Sequence, residues 1–477
     1  MARMRVPTRG TKQWQSHRAG LLLALVMIRV APACHEVPAK AASPAVPPEP
    51  VQEAPARRAL AITHVTLIDP LSGARPDITI VIDGEQISEV GPSSSIAIPA
   101  GAAVYDGLGR FAVPGFWDAH VHVSQIGVDS IRLMVANGVT SVRDMGSAFA
   151  DITRWRSIRT AGGLAPRVFS SGPMIDGRGE EGYDNWVVST PADARLAVYR
   201  LKQIGVDFIK VHGGLSRPVY EALAAESRRE GLFFAGHTGA GYPPLLAAAA
   251  GQRTIEHGRG MVPCSPQERA RLRADSSLSR LASICAPESV AAQILPAMAR
   301  ANVWFTPTLV SWRGHRLTPN DVARLNGASY LTPTLKAKWG EPEPPPGPME
   351  LELLSELGPL TASADRAGVH LLTGSDAGDP YVIPGFAVHD EMQLFVEAGV
   401  PPLVALRSAT LEAARALGVD DKIGSIERGK AADVVLLAAD PLADIRNTRR
   451  VVTVIVNGRR FDEEHLAALL GALRGPG

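Results

Sequence analysis

The middle of this chain alternates between two textures. Short apolar runs begin near Phe116, Thr140, Arg167, Phe208, Phe233, Thr254, Val303 and His370, and Ala/Leu/Arg-rich helical stretches such as 195–203 and 218–229 lie between most of them. A brief run that is apolar throughout is how a strand covered on both faces reads. Strands that alternate with helical patterns need parallel neighbours. Eight such units over roughly 300 residues match the arithmetic of a (β/α)8 TIM-like barrel, an α/β fold whose functional side chains sit at the C-terminal ends of the strands.

The flanks read differently. Residues 61–68, 78–82 and 86–90 are strand-like, with Asp83-Gly84 as a hairpin signal, and the same texture returns at 432–437 and 451–456 before Asn457-Gly458. These pieces predict a small β-sandwich domain built from 58–113 plus 420–462, enclosing a barrel at 114–419. One stretch breaks the barrel's rhythm. Residues 312–350, with a Pro-rich end at 341–348, are expected either to form a lid over the site or to be a surface elaboration.

Net charge is +1 over 477 residues, so nothing global favours nucleic acid or another polyanion as partner. With 45 glycines and 38 prolines the chain suits many tight strand–helix connections. No apolar run reaches the roughly 18 residues of a spanning helix. The first 34 residues have the form of an export signal: a basic leader (Arg3, Arg5, Arg9, Lys12, Arg18), an apolar core at 19–28, then Ala31-Pro32-Ala33-Cys34. That tetrapeptide resembles a bacterial lipoprotein cleavage box, with Cys34 as the lipid anchor; a non-lipidated signal is the alternative, because Arg29 interrupts the apolar run. A Pro/Ala-rich linker at 35–57 follows. The expected location is the bacterial cell envelope. Cys264 and Cys285 lack metal-type spacing and read as unpaired thiols rather than a disulfide.

His120 and His122 lie two apart on an apolar run, which puts both on one side of a strand. Neutral imidazoles so placed suit zinc and other divalent ions. Later runs also end in metal-ligating or charged residues: Lys210, His237, His257 and Asp376. His212 shares the face of Lys210, and Tyr183, Arg178 and Arg259 lie on loops after strands, where they are expected to meet substrate. No G-x-S-x-G elbow and no P-loop is present.

The fragments PGFWDAHVH, FIKVHGGLS, FFAGHTG, TIEHG, LLTGSDAG and IGSIERGKAADVVLL resemble, taken together over 60–460, the amidohydrolase superfamily, in particular its prolidase-like and imidazolonepropionase-related branch. The resemblance implies two divalent metal ions; the donor types suit zinc, and also manganese, cobalt or iron. His120, His122 and Asp376 would hold one and His237 and His257 the other, with an N-carboxylated Lys210 bridging them. It further implies cleavage of a C–N amide bond in a dipeptide or N-acyl amino acid by a hydroxide the metals share, with Asp376 as general base. A protonated, ion-paired Lys210 is the simpler alternative. Deamination or opening of a cyclic amide or lactone at a mononuclear site is the competing chemistry, and a non-catalytic barrel is the last. A homo-oligomer is compatible with the sequence.

Overall fold

Strands from both ends of the chain share one sheet. A computed structural model describes residues 59–177, 184–239, 241–261, 290–314, 319–331 and 348–473, together with Ala270, Ala274 and Leu317. The expected signal, linker, Cys34 anchor, Cys264 and Cys285 lie outside the described residues, as do parts of 312–350.

The shared sheet has eight strands. Arg459–Asp462, Val451–Val456, Val434–Leu437, Phe111–Pro114, Leu60–Asp69, Gly73–Asp83 and Gln86–Pro92 follow one another across it, and Ala103–Asp106 pairs with Leu60–Asp69. Apolar residues are buried on both of its faces, and the strands divide them between two clusters. Leu60 and Ile62 are even-numbered members of one cluster and Val65 and Leu67 odd-numbered ones. A bulge between Ile62 and Val65, with His64 at φ 57°, absorbs the change of phase and keeps all four on the same face. The opposite face sends Ile68, Val113, Val435 and Leu437 into the main core. Backbone bonds from the Glu85–Ile87 edge to residues 429–432 fold the far side of the sheet back toward Val434–Leu437. The hairpin at Asn457-Gly458 has both residues at positive φ, 55° and 74°, the geometry that such a dipeptide favours.

The middle of the chain is mixed α/β with parallel strands. One sheet runs Asn185–Val187, Met174–Asp176, Ile209–Val211, Phe234–Gly236, Thr254–Glu256, Trp304–Thr306; another runs Phe116–Val121, Val139–Asp144, Arg167–Ser170. Two of these, Met174–Asp176 and Asn185–Val187, are strands the sequence pattern did not call for. Residues 371–377 join the sheets without forming a ladder of their own. Leu371 bridges Phe305 and Ala377 bridges Val121, both in parallel. On the other side the Asp207 N–H donates to the Ser170 carbonyl at 2.9 Å. Amphipathic helices cover these strands. Pro191–Ile204 opens with a Thr190/Asp193 capping box, buries Ala194, Ala197, Val198 and Leu201, and stops at a left-handed Gly205.

Within 312–350, Tyr330 stacks on Phe386 with ring centres 5.4 Å apart. Leu331, Val322 and Leu325 pack with Tyr381 and Ile383. No helix among the described residues is long and apolar enough to cross a membrane.

Candidate metal centre

The strand Phe116–Val121 is buried along its whole length and delivers His120 and, one residue past its end, His122 to the same side. Asp118, one pleat earlier, fastens the segment that carries Asp376. Its carboxylate accepts from the Ser375 N–H at 2.8 Å and from the Ser375 hydroxyl at 2.5 Å. The Asp376 N–H then donates to the His120 carbonyl at 2.8 Å. Gly374 permits this closeness, since a Cβ there would stand 2.7 Å from the His120 Cβ.

The result is a tight knot. The Asp376 carboxylate lies 3.3 Å from His120 Nε2, 3.4 Å from His122 Nε2 and 3.4 Å from His257 Nδ1. The imidazoles of His120 and His257 have centres 4.7 Å apart, those of His257 and His237 4.8 Å, and those of His237 and His212 4.4 Å. His257 and Asp376 both sit at φ 61°, where a side chain is strained, a cost that functional sites typically carry. Lys210 reaches the knot from Ile209–Val211. Its ammonium is buried and finds no hydrogen-bond partner among the described residues.

Burial sets the charge states. It holds His120, His237 and His257 far below the usual imidazole range, with the Lys210 charge adding to the effect in each. Burial also works against a charged His122, but the contact with Asp376 outweighs it and raises that pKa. Asp376 is raised by burial and by the neighbouring Asp379 charge. Lys210 is brought down by burial to about 8.

The other expected substrate residues divide. His212 is buried, with its Nδ1 3.1 Å from Asp176. Arg259 is exposed at the rim, near enough for its charge to depress His237 and His257. Arg178 and Tyr183 lie outside the described residues.

Several functional partners escaped the sequence reading. Glu256 bonds to His120 Nδ1 at 2.9 Å, Thr308 Oγ1 to His257 Nδ1 at 2.8 Å, and the Gly146 carbonyl to His122 Nδ1 at 3.0 Å. Only Glu256 carried a signal. It stands beside His257 in the buried strand Thr254–Glu256, where a charge needs a partner. Arg143, likewise buried in a strand, is that partner at 3.0 Å.

This donor set fits a divalent ion. Neutral imidazoles and a carboxylate are its ordinary ligands. One ligand atom each from His120, His122 and Asp376 lies within 4.8 Å of the others. Two buried nitrogens, His120 Nε2 and Lys210 Nζ, find no hydrogen bond among the described residues, as expected where a ligand rather than the protein satisfies them.

The α/β fold thus gathers imidazoles and a carboxylate at the ends of parallel strands, a donor set suited to a divalent ion. Residues 111–461 match the amidohydrolase family, and the chain belongs to it. Among solved structures it is similar to a Bifidobacterium longum protein assigned as a prolidase, at 26% identity and TM-score 0.66 over 88% of this chain and 100% of that one. It is similar to a bottromycin amidohydrolase at 25% identity and TM-score 0.69, over 87% and 90%. A Xaa-Pro dipeptidase solved with bound methionine shares the fold at 22% identity and TM-score 0.62, over 85% and 100%. Curated relatives match over shorter stretches. An adenine deaminase from Cenarchaeum symbiosum is 30% identical over 129 residues, 25% of this chain and 21% of its own. A dihydroorotase from Trichlorobacter lovleyi is 34% identical over 83 residues, 16% and 19%. The chain thus matches about a fifth of the length of these curated relatives.

Proposed function

We propose that this chain is a metal-dependent amidohydrolase, built on a closed (β/α)8 barrel, that cleaves a C–N amide bond in a dipeptide or an N-acyl amino acid. The observation that carries the reading is the Asp376 carboxylate set 3.3–3.4 Å from three imidazoles, beside two buried nitrogens without hydrogen bonds among the described residues. His120, His122 and Asp376 would hold one divalent ion, and His237 and His257 the second. Such a pair supplies Lewis acidity and an acidified water. Zinc suits the donors.

The chain's own residues do the rest. Asp376 takes a proton at a carboxylate oxygen and returns it to the departing nitrogen. Lys210 joins the ligand set as a carbamate. Its amine, brought to about 8, is uncharged often enough near neutrality to add carbon dioxide, forming an N–C bond and releasing a proton. His212, fixed by Asp176, and Arg259 on the rim receive the substrate's polar end, Arg259 by charge-assisted bonds to a carboxylate. Arg178 and Tyr183 are assigned to the same wall.

Metal analysis of the purified protein, paired with release assays on dipeptides and acyl amino acids, tests this. Two equivalents of metal with amide cleavage are expected. One equivalent with release of ammonia or opening of a cyclic amide would favour the second reading, which the local likeness to an adenine deaminase and a dihydroorotase supports. Protein without bound metal and without either activity would sink both. For location, the reading is an exported enzyme tethered through Cys34; Cys34→Ala should move it from the membrane to the soluble envelope fraction.

A further inference from the structure

Beneath the cluster of imidazoles lies a buried ion pair that the proposed chemistry does not use. Arg143 threads inward from Val139–Asp144. Its Nε donates to the Ala119 carbonyl at 2.5 Å, its Nη1 to Thr254 Oγ1 at 2.9 Å, and its Nη2 to both Glu256 oxygens at 3.0 Å and to Thr306 Oγ1 at 3.2 Å. Glu256 also accepts from the Thr254 hydroxyl. Its Oε2 has one further partner, the His120 ring at Nδ1, 2.9 Å away. Arg143 is 1% exposed, and Glu256 and His120 are 0% exposed.

A carboxylate has only lone pairs to offer, so the proton of this bond sits on His120 Nδ1. Nε2 is then left with its lone pair, and this is the same nitrogen that faces Asp376 at 3.3 Å without a hydrogen bond among the described residues. The three remaining bonds of Arg143 tie Glu256 to Ala119, Thr254 and Thr306, on three separate strands. The carboxylate therefore has one place to be. A buried pair serving packing alone would be dispensable, since apolar residues of similar volume often replace such pairs at no loss of stability. This pair instead spends one of its oxygens on a ring whose other nitrogen points into the proposed centre.

The geometry points to Arg143 and Glu256 as positioning residues that lock His120 in the tautomer whose Nε2 can ligate a metal, so that they set the affinity of the subsite formed by His120, His122 and Asp376. The inference rests on the metal centre of the proposed function. Outer partners of ligating histidines elsewhere are worth about 10–100-fold in metal affinity.

The test compares wild type, Glu256→Gln and the double variant Arg143→Met/Glu256→Leu. Each is equilibrated with zinc across a chelator series and, separately, loaded with cobalt(II) for its visible spectrum, with a thermal melt alongside. The double variant, which also strands the Ala119 carbonyl and the Thr254 and Thr306 hydroxyls, should melt below the wild-type temperature and hold one of two metal equivalents about 10–100-fold more weakly. Glu256→Gln, which keeps the size and one acceptor oxygen, should show the smaller loss and a shifted cobalt band. A double variant with wild-type affinity and spectrum overturns the assignment. Should that variant fail to fold, an unaltered cobalt band in Glu256→Gln overturns it instead. Wild-type protein that takes up no metal would refute the proposed function itself, a result distinct from metal binding that these variants leave untouched.

Discussion

The eight-stranded sheet and the ends of the parallel strands are built from the same chain on opposite terms. In the sheet, Ile62, Ile80, Ile82, Val434 and Leu436 pack as one apolar cluster, and the bulge at His64 keeps the alternation in phase. Local pattern, register and burial all agree there, which is what a region serving stability looks like. At the strand ends, buried imidazoles crowd a raised carboxylate, two backbones are strained and two nitrogens find no hydrogen bond among the described residues. Those features cost stability, and a protein retains them where they do chemistry. The difference predicts that substitutions in the two regions will separate activity from folding in opposite directions.

The largest effect should come from Asp376→Asn. The amide keeps the shape but cannot take the proton, so turnover should fall by about 10²–10⁴-fold, with metal content reduced far less. Parallel turnover and metal measurements check this. A variant with near-full turnover would remove Asp376 from the role. In the sheet, Ile80→Ala should cost about 2–5 kcal/mol in a urea melt, because Ile80 is fully buried. Its kcat/KM below the melting range should be unchanged; a matching loss of activity would mean the two regions are coupled rather than separate.

Lys210→Met sharpens the contrast from the other side. Removing a buried ammonium that has no hydrogen-bond partner among the described residues should raise the stability of the metal-free protein by about 1 kcal/mol, while bound metal falls from two equivalents toward one. Destabilisation with full metal loading would show that Lys210 is an ordinary core cation.

Much of this was legible in the sequence because periodicity reports burial. The strands at 61–68, 78–82, 86–90, 432–437 and 451–456, the Asn457-Gly458 turn and the helical stretches 195–203 and 218–229 follow from apolar pattern and turn chemistry, both local properties, though the helices begin at Pro191 and Arg217. His120 and His122 are legible because two residues apart on a strand means one face. The hidden part is long-range. Glu256 meets His120 across 136 positions, and Thr308 meets His257 across 51. No local period encodes such pairs. The apolar run near His370 and the Asp376 that follows it were legible, but not that residues 371–377 join the neighbouring strands through single bridges instead of a ladder.

The smallest and most conditional effect concerns the segment that positions Thr308. Glu391 accepts the Leu309 N–H at 2.9 Å and the Val310 N–H at 2.7 Å, one on each oxygen, at the start of the helix Leu309–Gly314. Burial pushes this carboxyl from its ordinary 4.5 up to about 8. The folded chain therefore holds a proton on Glu391 that the unfolded chain releases above pH 4.5. Stability falls as pH rises wherever the folded state binds more protons, with a slope of up to about 1.4 kcal/mol per pH unit for one proton. The contribution is complete below pH 4.5 and is lost as pH climbs through about 8. Glu391→Gln has no proton to lose there. Urea midpoints of the two proteins, taken at intervals over that range, should show the wild-type advantage shrinking steadily with rising pH. A constant gap would mean that Glu391 enters the fold already ionised, and that the two N–H bonds outweigh its burial.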